Sequence, residues 1–161
     1  MHVVLSVGSN IGDRTAHLRS AVNGFSEEIV GVSPLYQTPP WGGVDQDDFY
    51  NAVLLLETQR SPEEILRHGQ SLEREAARSR VQHWGPRTLD VDIVTCVRNG
   101  HEVRSRTPEL LLPHPYAHQR AFVLIPWVAL VPNATLGGRA ISELVAELDT
   151  QDISLVAKEW V

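Results

Sequence analysis

The pentapeptide Leu89-Asp90-Val91-Asp92-Ile93 constrains this chain more than any other stretch. Side chains of a β-strand alternate between faces with a period of two. As a strand, the segment puts Leu89, Val91 and Ile93 on a face that can bury, and Asp90 and Asp92 together on the other. The fold must therefore supply a sheet packed behind this strand and accessible in front of it. Two carboxylates one strand step apart, backed by a hydrophobic wall, form a rigid platform for a hard cation. Mg²⁺ suits it, because Mg²⁺ takes one or two protein carboxylates and fills its other sites with water and phosphate oxygens. A solvated strand face is the plain alternative for so short a pattern. Against that, two like charges on one face repel unless a cation compensates them.

The rest of the chain supplies the sheet. Val3, Leu5 and Val7 alternate in a first strand that ends at Gly8-Ser9-Asn10. Helical spacing of Leu18, Ala21, Val22 and Phe25 predicts a helix over 13–25, with Asn10 or Asp13 in a capping role. Residues 29–36 read as a second strand and 51–57 as a third, separated by a Pro-, Gly- and Asp-rich loop at 38–48. Ser61-Pro62-Glu63-Glu64 is a helix start with a capping box. The helix runs to 77 and buries Ile65, Gly69, Leu72 and Ala76. A loop at 77–88 leads to the fourth strand, 90–97. The order β-α-β-β-α-β is that of a ferredoxin-like α+β unit, an antiparallel sheet with its helices on one face. Beyond it, 117–131 is expected to be mostly helical with a bend or break near Pro126, 141–148 a short helix, and 152–156 an edge strand. The tail past Ala140 carries no recognisable motif.

Length and composition narrow the class. A chain of 161 residues predicts one domain with a proper core. The net charge of −6 argues against a dedicated nucleic-acid binder. One cysteine, Cys96, excludes an internal disulfide and suits a reducing cytosol. The longest apolar run, 121–131, is too short to span a bilayer. These features predict a cytoplasmic protein.

Arg74, Arg78, Arg80 and Arg87 fall within fourteen positions of an acidic chain, with His83 among them. Arginine binds phosphate in a planar, bidentate way and stays charged. Arg74 is explained by a helix C-terminus, where a cation complements the dipole. The others read as a lid over a nucleotide. Gln70 and Glu73 share a helical face, either as ordinary polar surface or as nucleotide contacts. Thr38-Pro39-Pro40-Trp41 and Phe49-Tyr50-Asn51 bracket the first long loop. There an aromatic can stack on a planar ring and Asn51 can pair with a heterocycle edge. Phe122 is the opposite slice of such a sandwich or simple core. His114, held between two prolines, and Arg120 flank the last long helix. Gly8-Ser9-Asn10-Ile11-Gly12-Asp13 lacks the lysine and spacing of a phosphate loop and reads as structural.

Taken together, Gly8-Ser9-Asn10, Tyr36-Gln37-Thr38-Pro39-Pro40, Phe49-Tyr50-Asn51-Ala52, Arg78-Ser79-Arg80, Trp84-Gly85-Pro86-Arg87-Thr88 with the pentapeptide, Pro113-His114-Pro115 and Arg120-Ala121-Phe122 resemble the 6-hydroxymethyl-7,8-dihydropterin pyrophosphokinases of folate biosynthesis. The resemblance implies Mg²⁺-dependent transfer of pyrophosphate from ATP to the pterin, giving AMP. It implies that Asp90 and Asp92 hold two Mg²⁺ ions and that Arg78, Arg80 and Arg87 neutralise the triphosphate, with Arg78 and Arg87 catalytic. Gln70, Glu73, His83, Trp84, Ile93, His114 and Arg120 would join Arg80 on the ATP side. Thr38, Pro39, Trp41, Phe49, Asn51 and Phe122 would form the pterin pocket of a monomer acting on small molecules. His83 stands where an arginine can stand, and Trp41 replaces a smaller apolar residue.

Overall fold

The structure, a computed structural model, describes residues 1–40, 47–78 and 88–161. Along the chain come β1 (His2–Ser9), α1 (Arg14–Gly24), β2 (Ile29–Val32), β3 (Leu35–Thr38), β4 (Phe49–Glu57), α2 (Pro62–Arg78) and β5 (Asp90–Arg98). Three two-residue strands follow, β6 (His101–Glu102), β7 (Ser105–Arg106) and β8 (Leu111–Leu112). Then come a 3₁₀ turn at Ala117–Gln119, α3 (Ala121–Leu130), the hairpin β9 (Thr135–Leu136) and β10 (Arg139–Ala140), α4 (Ile141–Ala146) and β11 (Ser154–Ala157). The main sheet runs β11-β3-β4-β1-β5-β6, with β2 also on β4. Its described pairings are all antiparallel. Counting β2 and β3 as one strand gives the expected ferredoxin-like order.

Alternation along β1 decides what covers each face. Val3, Leu5 and Val7 cluster with Leu18, Ala21 and Phe25 of α1 and Ile65 of α2. Val4, on the opposite face, clusters with Val53, Val94 and residues of α3 and α4, among them Leu124, Trp127 and Ile141. The two helices of the βαββαβ unit thus share a face, and the C-terminal helices cover the other. α3 and α4 leave part of that second face open, at Ser6, Gly8, Asn51, Asp90 and Asp92.

The helix starts follow their chemistry. Asp13 Oδ1 accepts the Ala16 amide at 3.1 Å and caps α1. Ser61 and Glu64 form the reciprocal capping box, at 3.1 and 3.2 Å. Asn10 does not cap; its Nδ2 donates to the Asp47 carbonyl at 3.2 Å. α2 lies close on β5 because Gly69 has no side chain. A Cβ there would stand 3.0 Å from Val91 Cγ1.

Several boundaries differ from the sequence reading. The strand expected over 29–36 divides at Ser33-Pro34. Proline cannot donate to a ladder, and here the Ser33 hydroxyl accepts the Val53 amide at 2.8 Å instead. β3 then continues to Thr38, and β4 starts at Phe49, two residues ahead of the expected strand. The helix expected over 117–131 is interrupted at Arg120. Pro126 lies inside α3, where it removes the bond to the Phe122 carbonyl.

β5 carries a bulge. Leu5 faces Ile93 and Val4 faces Thr95, so Val94 is the extra residue. Asp90, Asp92 and Val94 share the α3 face, and Cys96 beyond the bulge joins the opposite core. Its thiol is fully buried, and burial pushes its pKa up to about 12. The tail is tied down. β11 pairs with β3, and Trp160 Nε1 donates to the Ser33 carbonyl at 2.8 Å. Arg19 Nε in turn donates to the Trp160 carbonyl at 2.7 Å.

Candidate active site

The open part of the α3 face is a cleft of about 190 Å³, lined by Ser6, Gly8, Thr38, Pro39, Phe49, Asn51, Asp90, Asp92, Arg120 and Phe122. Eight of these ten are residues that the sequence singled out. The β1 ladder orders its floor. Gly8 sits between Asn51 on β4 and Asp90 on β5, and Ser6 sits between Val53 and Asp92. One side of the floor is therefore an amide and the other a carboxylate pair.

The amide side is held firmly. Asn51 is buried, and its Nδ2 donates to Thr38 Oγ1 at 2.6 Å. That bond fixes which edge Asn51 presents. Gly8 allows it, since a Cβ there would come within 2.8 Å of Asn51 Oδ1. Phe49 is positioned by the residues before it. Arg14 Nη1 donates to the Asp48 carbonyl at 2.8 Å, and Gln37 Nε2 to Asp48 Oδ2 at 2.9 Å. The Arg14 guanidinium also lies 3.9 Å from the Tyr50 ring centroid. Phe122 stands in the first turn of α3, with the Arg120 guanidinium 5.6 Å from its ring centroid.

On the other side, Asp90 is half-buried and Asp92 exposed. Val91, between them, has its amide on the edge of β5 away from β1, and Glu73 Oε2 of α2 accepts it at 3.0 Å. Glu73 thus anchors the strand that carries the pair. No third Asp, Glu, His or Cys completes a metal cluster among the described residues. Two hard oxygen donors on a rigid strand still fit Mg²⁺, which draws its remaining ligands from water and phosphate. His114 lies near enough to feel both Arg120 and Asp92. Its amide donates to the Val94 carbonyl at 2.8 Å. Its Nδ1 accepts the Tyr116 amide at 3.1 Å, which leaves the proton of the neutral ring on Nε2. Burial, then the Arg120 charge, holds the His114 pKa below its ordinary value, against the pull of Asp92.

Four described candidates do not line the cleft, His114 among them. The Ile93 side chain is buried in the core on the opposite face, so only its backbone is available to a ligand. Gln70 is exposed in a separate groove with Glu63, Leu66, Arg67 and Glu109. Glu73 acts through the Val91 amide. Trp41, Arg80, His83, Trp84, Arg87 and the Arg78 side chain lie outside the described residues. The sequence reading overlooked Ser6 and Gly8 as floor residues. The signal was there: they alternate with Leu5 and Val7, so they had to share the face of Asp90 and Asp92.

A sequence profile of the 7,8-dihydro-6-hydroxymethylpterin-pyrophosphokinase family matches residues 4–132. The chain belongs to this family. Among relatives, the 2-amino-4-hydroxy-6-hydroxymethyldihydropteridine pyrophosphokinase of Mycobacterium tuberculosis is 49% identical over 160 residues, covering 93% of this chain and 85% of that protein. The like-named protein of Methylorubrum extorquens is 38% identical over 156 residues, covering 94% and 96%. Among solved structures, Plasmodium falciparum HPPK-DHPS with pteroate superposes with a TM-score of 0.65 at 14% identity, over 91% of this chain and 44% of that one. At that identity the likeness speaks for the fold alone, and this chain spans less than half of that one. As a pyrophosphokinase of this family, the protein is an enzyme, and its cleft is the candidate active site. Among the described residues no helix is long and apolar enough to cross a membrane.

Proposed function

We propose that the cleft transfers pyrophosphate from ATP to the hydroxymethyl group of 6-hydroxymethyl-7,8-dihydropterin, releasing AMP and the pterin diphosphate for folate biosynthesis. The supporting observation is that one cleft joins a Thr38-oriented Asn51, two phenylalanines and a carboxylate pair. Phe49 and Phe122 sandwich the flat ring, and Asn51 pairs with its edge, with Thr38, Pro39 and Trp41 completing the pocket. The hydroxymethyl oxygen attacks the β-phosphorus, and the bond to the oxygen bridging the α- and β-phosphorus breaks. Such chemistry depends on positioning and charge neutralisation. Arg120 and the Nε2–H of His114 serve ATP beside the carboxylates. Gln70, Glu73 and the Ile93 backbone contact the nucleotide from the α2 side of β5. Arg78, Arg80 and Arg87 neutralise the triphosphate, with His83 and Trp84 adjoining them. Asp90 and Asp92 hold two Mg²⁺ ions, which supply the positive charge that steadies attacking and leaving oxygens. The reading implies a single domain working as a cytoplasmic monomer.

Mixing the protein with Mg²⁺, ATP and the pterin should release AMP. Release of ADP, or no turnover by folded protein, would sink the reading. Asp90→Ala and Asp92→Ala should each lower kcat by at least about 100-fold, with circular dichroism unchanged. A near-normal rate in either would remove that carboxylate from the metal site.

A further inference from the structure

β1 stops one residue short of the Phe49 wall of the cleft. Its last residue, Ser9, stands opposite Tyr50. Phe49, one position earlier on β4, has a strand neighbour only on the β3 side, at Thr38. Asp47 and Asp48 precede the ladder altogether. The ring that walls the cleft is therefore carried by the least supported end of its strand.

Side chains from the segment after β1 stand in for the missing ladder. Asn10 Nδ2 donates to the Asp47 carbonyl at 3.2 Å, and Arg14 Nη1 to the Asp48 carbonyl at 2.8 Å. From the β3 side, Gln37 Nε2 donates to Asp48 Oδ2 at 2.9 Å. Alternation supplies a further hold. Phe49 and Asn51 face the cleft, so Tyr50 between them faces α1 and packs against the core on that side. The Arg14 guanidinium lies 3.9 Å from the Tyr50 ring centroid. One arginine thus grips the residue before Phe49 by its carbonyl and the residue after it by its ring. A planar guanidinium can do both at once, and its hydrogen bond is strengthened by the charge.

α1 itself gains nothing from this cation. Arg14 opens the helix, at the positive end of the dipole, and Asp13 already caps it. What the charge contributes lies on β4. The facing ring, Phe122, belongs to α3, whose next residues Val123 and Leu124 are buried in the second core. The slot between the rings has one wall set by the core and the other set by Arg14.

We propose that Arg14 is a positioning residue, which holds Phe49 at the spacing from Phe122 that a flat heterocycle needs. The inference rests on the pterin reading of the cleft. A wall fixed before the ligand arrives lowers the ordering cost of binding, so the effect falls on affinity for the heterocycle.

The test is a double-mutant cycle of Arg14→Met and Phe49→Ala. Fluorescence quenching of the pterin is titrated with Mg²⁺ and an ATP analogue bearing a methylene between the α- and β-phosphorus, which blocks turnover. Arg14→Met should raise the pterin Kd about tenfold, as loss of a charge-assisted bond would. In Phe49→Ala protein the same change should alter the Kd by less than about twofold, because the wall that Arg14 holds is gone. Calorimetry should give Arg14→Met the nucleotide affinity of wild type. Arg14→Lys keeps a cation without the plane and should lose less than Arg14→Met. A pterin Kd unchanged in Arg14→Met would overturn the proposal, and so would a lysine variant weaker than the methionine variant. A full tenfold effect in the Phe49→Ala background, or a nucleotide affinity that falls as far as the pterin affinity, would also overturn it, by making Arg14 a general support of the fold. Wild-type protein that quenches no pterin fluorescence would sink the pterin reading and this inference with it. Wild-type quenching with unaltered affinity in Arg14→Met would count against Arg14 alone.

Discussion

Gly8 stands where backbone and side chain of neighbouring strands come closest in the cleft. A methyl group there would meet Asn51 Oδ1 at 2.8 Å, with Phe49 Cδ1 at 3.5 Å and the Tyr50 carbonyl at 3.6 Å. The Asn51 amide would have to swing away from Thr38, losing the edge it presents. Gly8→Ala should therefore weaken pterin binding by about tenfold, from overpacking of the order of 1–3 kcal/mol. Fluorescence titration of the pterin checks it, and unaltered affinity would show that the amide tolerates the methyl. At this scale the sequence was informative about chemistry and poor about reach. Asp90 and Asp92 were legible from alternation alone, and Asn51 and Phe49 from their residue types. That Glu73 spends its carboxylate on the Val91 amide was not legible, because helical spacing says which face it occupies and nothing about what lies opposite. Ile93 carried over from the resemblance as a contact, although its alternation with Asp92 already put its side chain in the core.

Secondary-structure elements show where local signals are overruled. Asp13, Ser61 and Glu64 act within a few residues of themselves, so α1 and α2 begin where the sequence places them. The break at Ser33-Pro34 depends on Val53, twenty residues away, whose amide the Ser33 hydroxyl accepts. No local pattern contains that bond. α2 and β5 illustrate a second kind of coupling. Alanine at position 69 has the better intrinsic helix propensity, by about 1 kcal/mol. The site nevertheless places its Cβ 3.0 Å from Val91 Cγ1, on a strand held by β1 and by Glu73. Gly69→Ala should be destabilising in wild type and stabilising in a Val91→Ala background. Urea unfolding of the four proteins gives the cycle, and a stabilising effect in both backgrounds would mean the strand yields freely.

In the molecule as a whole, the two helical layers hold the sheet between them, and the C-terminal tail closes one edge of it. That closure was the least legible part of the chain. The edge strand at 152–156 was expected, but the tail carried no motif to show what it does. Trp160 is 6% exposed and bonds Ser33 across 127 positions of sequence. Trp160→Ala should cost about 3–5 kcal/mol, as for other buried aromatics. The reading is the denaturant midpoint, and a loss under about 1 kcal/mol would mean β11 holds without its anchor. The bulge at Val94 has a practical consequence. It turns the chain's lone thiol from the α3 face of β5 to the core shared with α1 and α2. At neutral pH Cys96 is neither accessible nor ionised, so an alkylating reagent meets it only when the sheet comes apart. The labelling rate of this one sulfur is therefore a clock for opening of the whole protein, one that the molecule carries without any added probe.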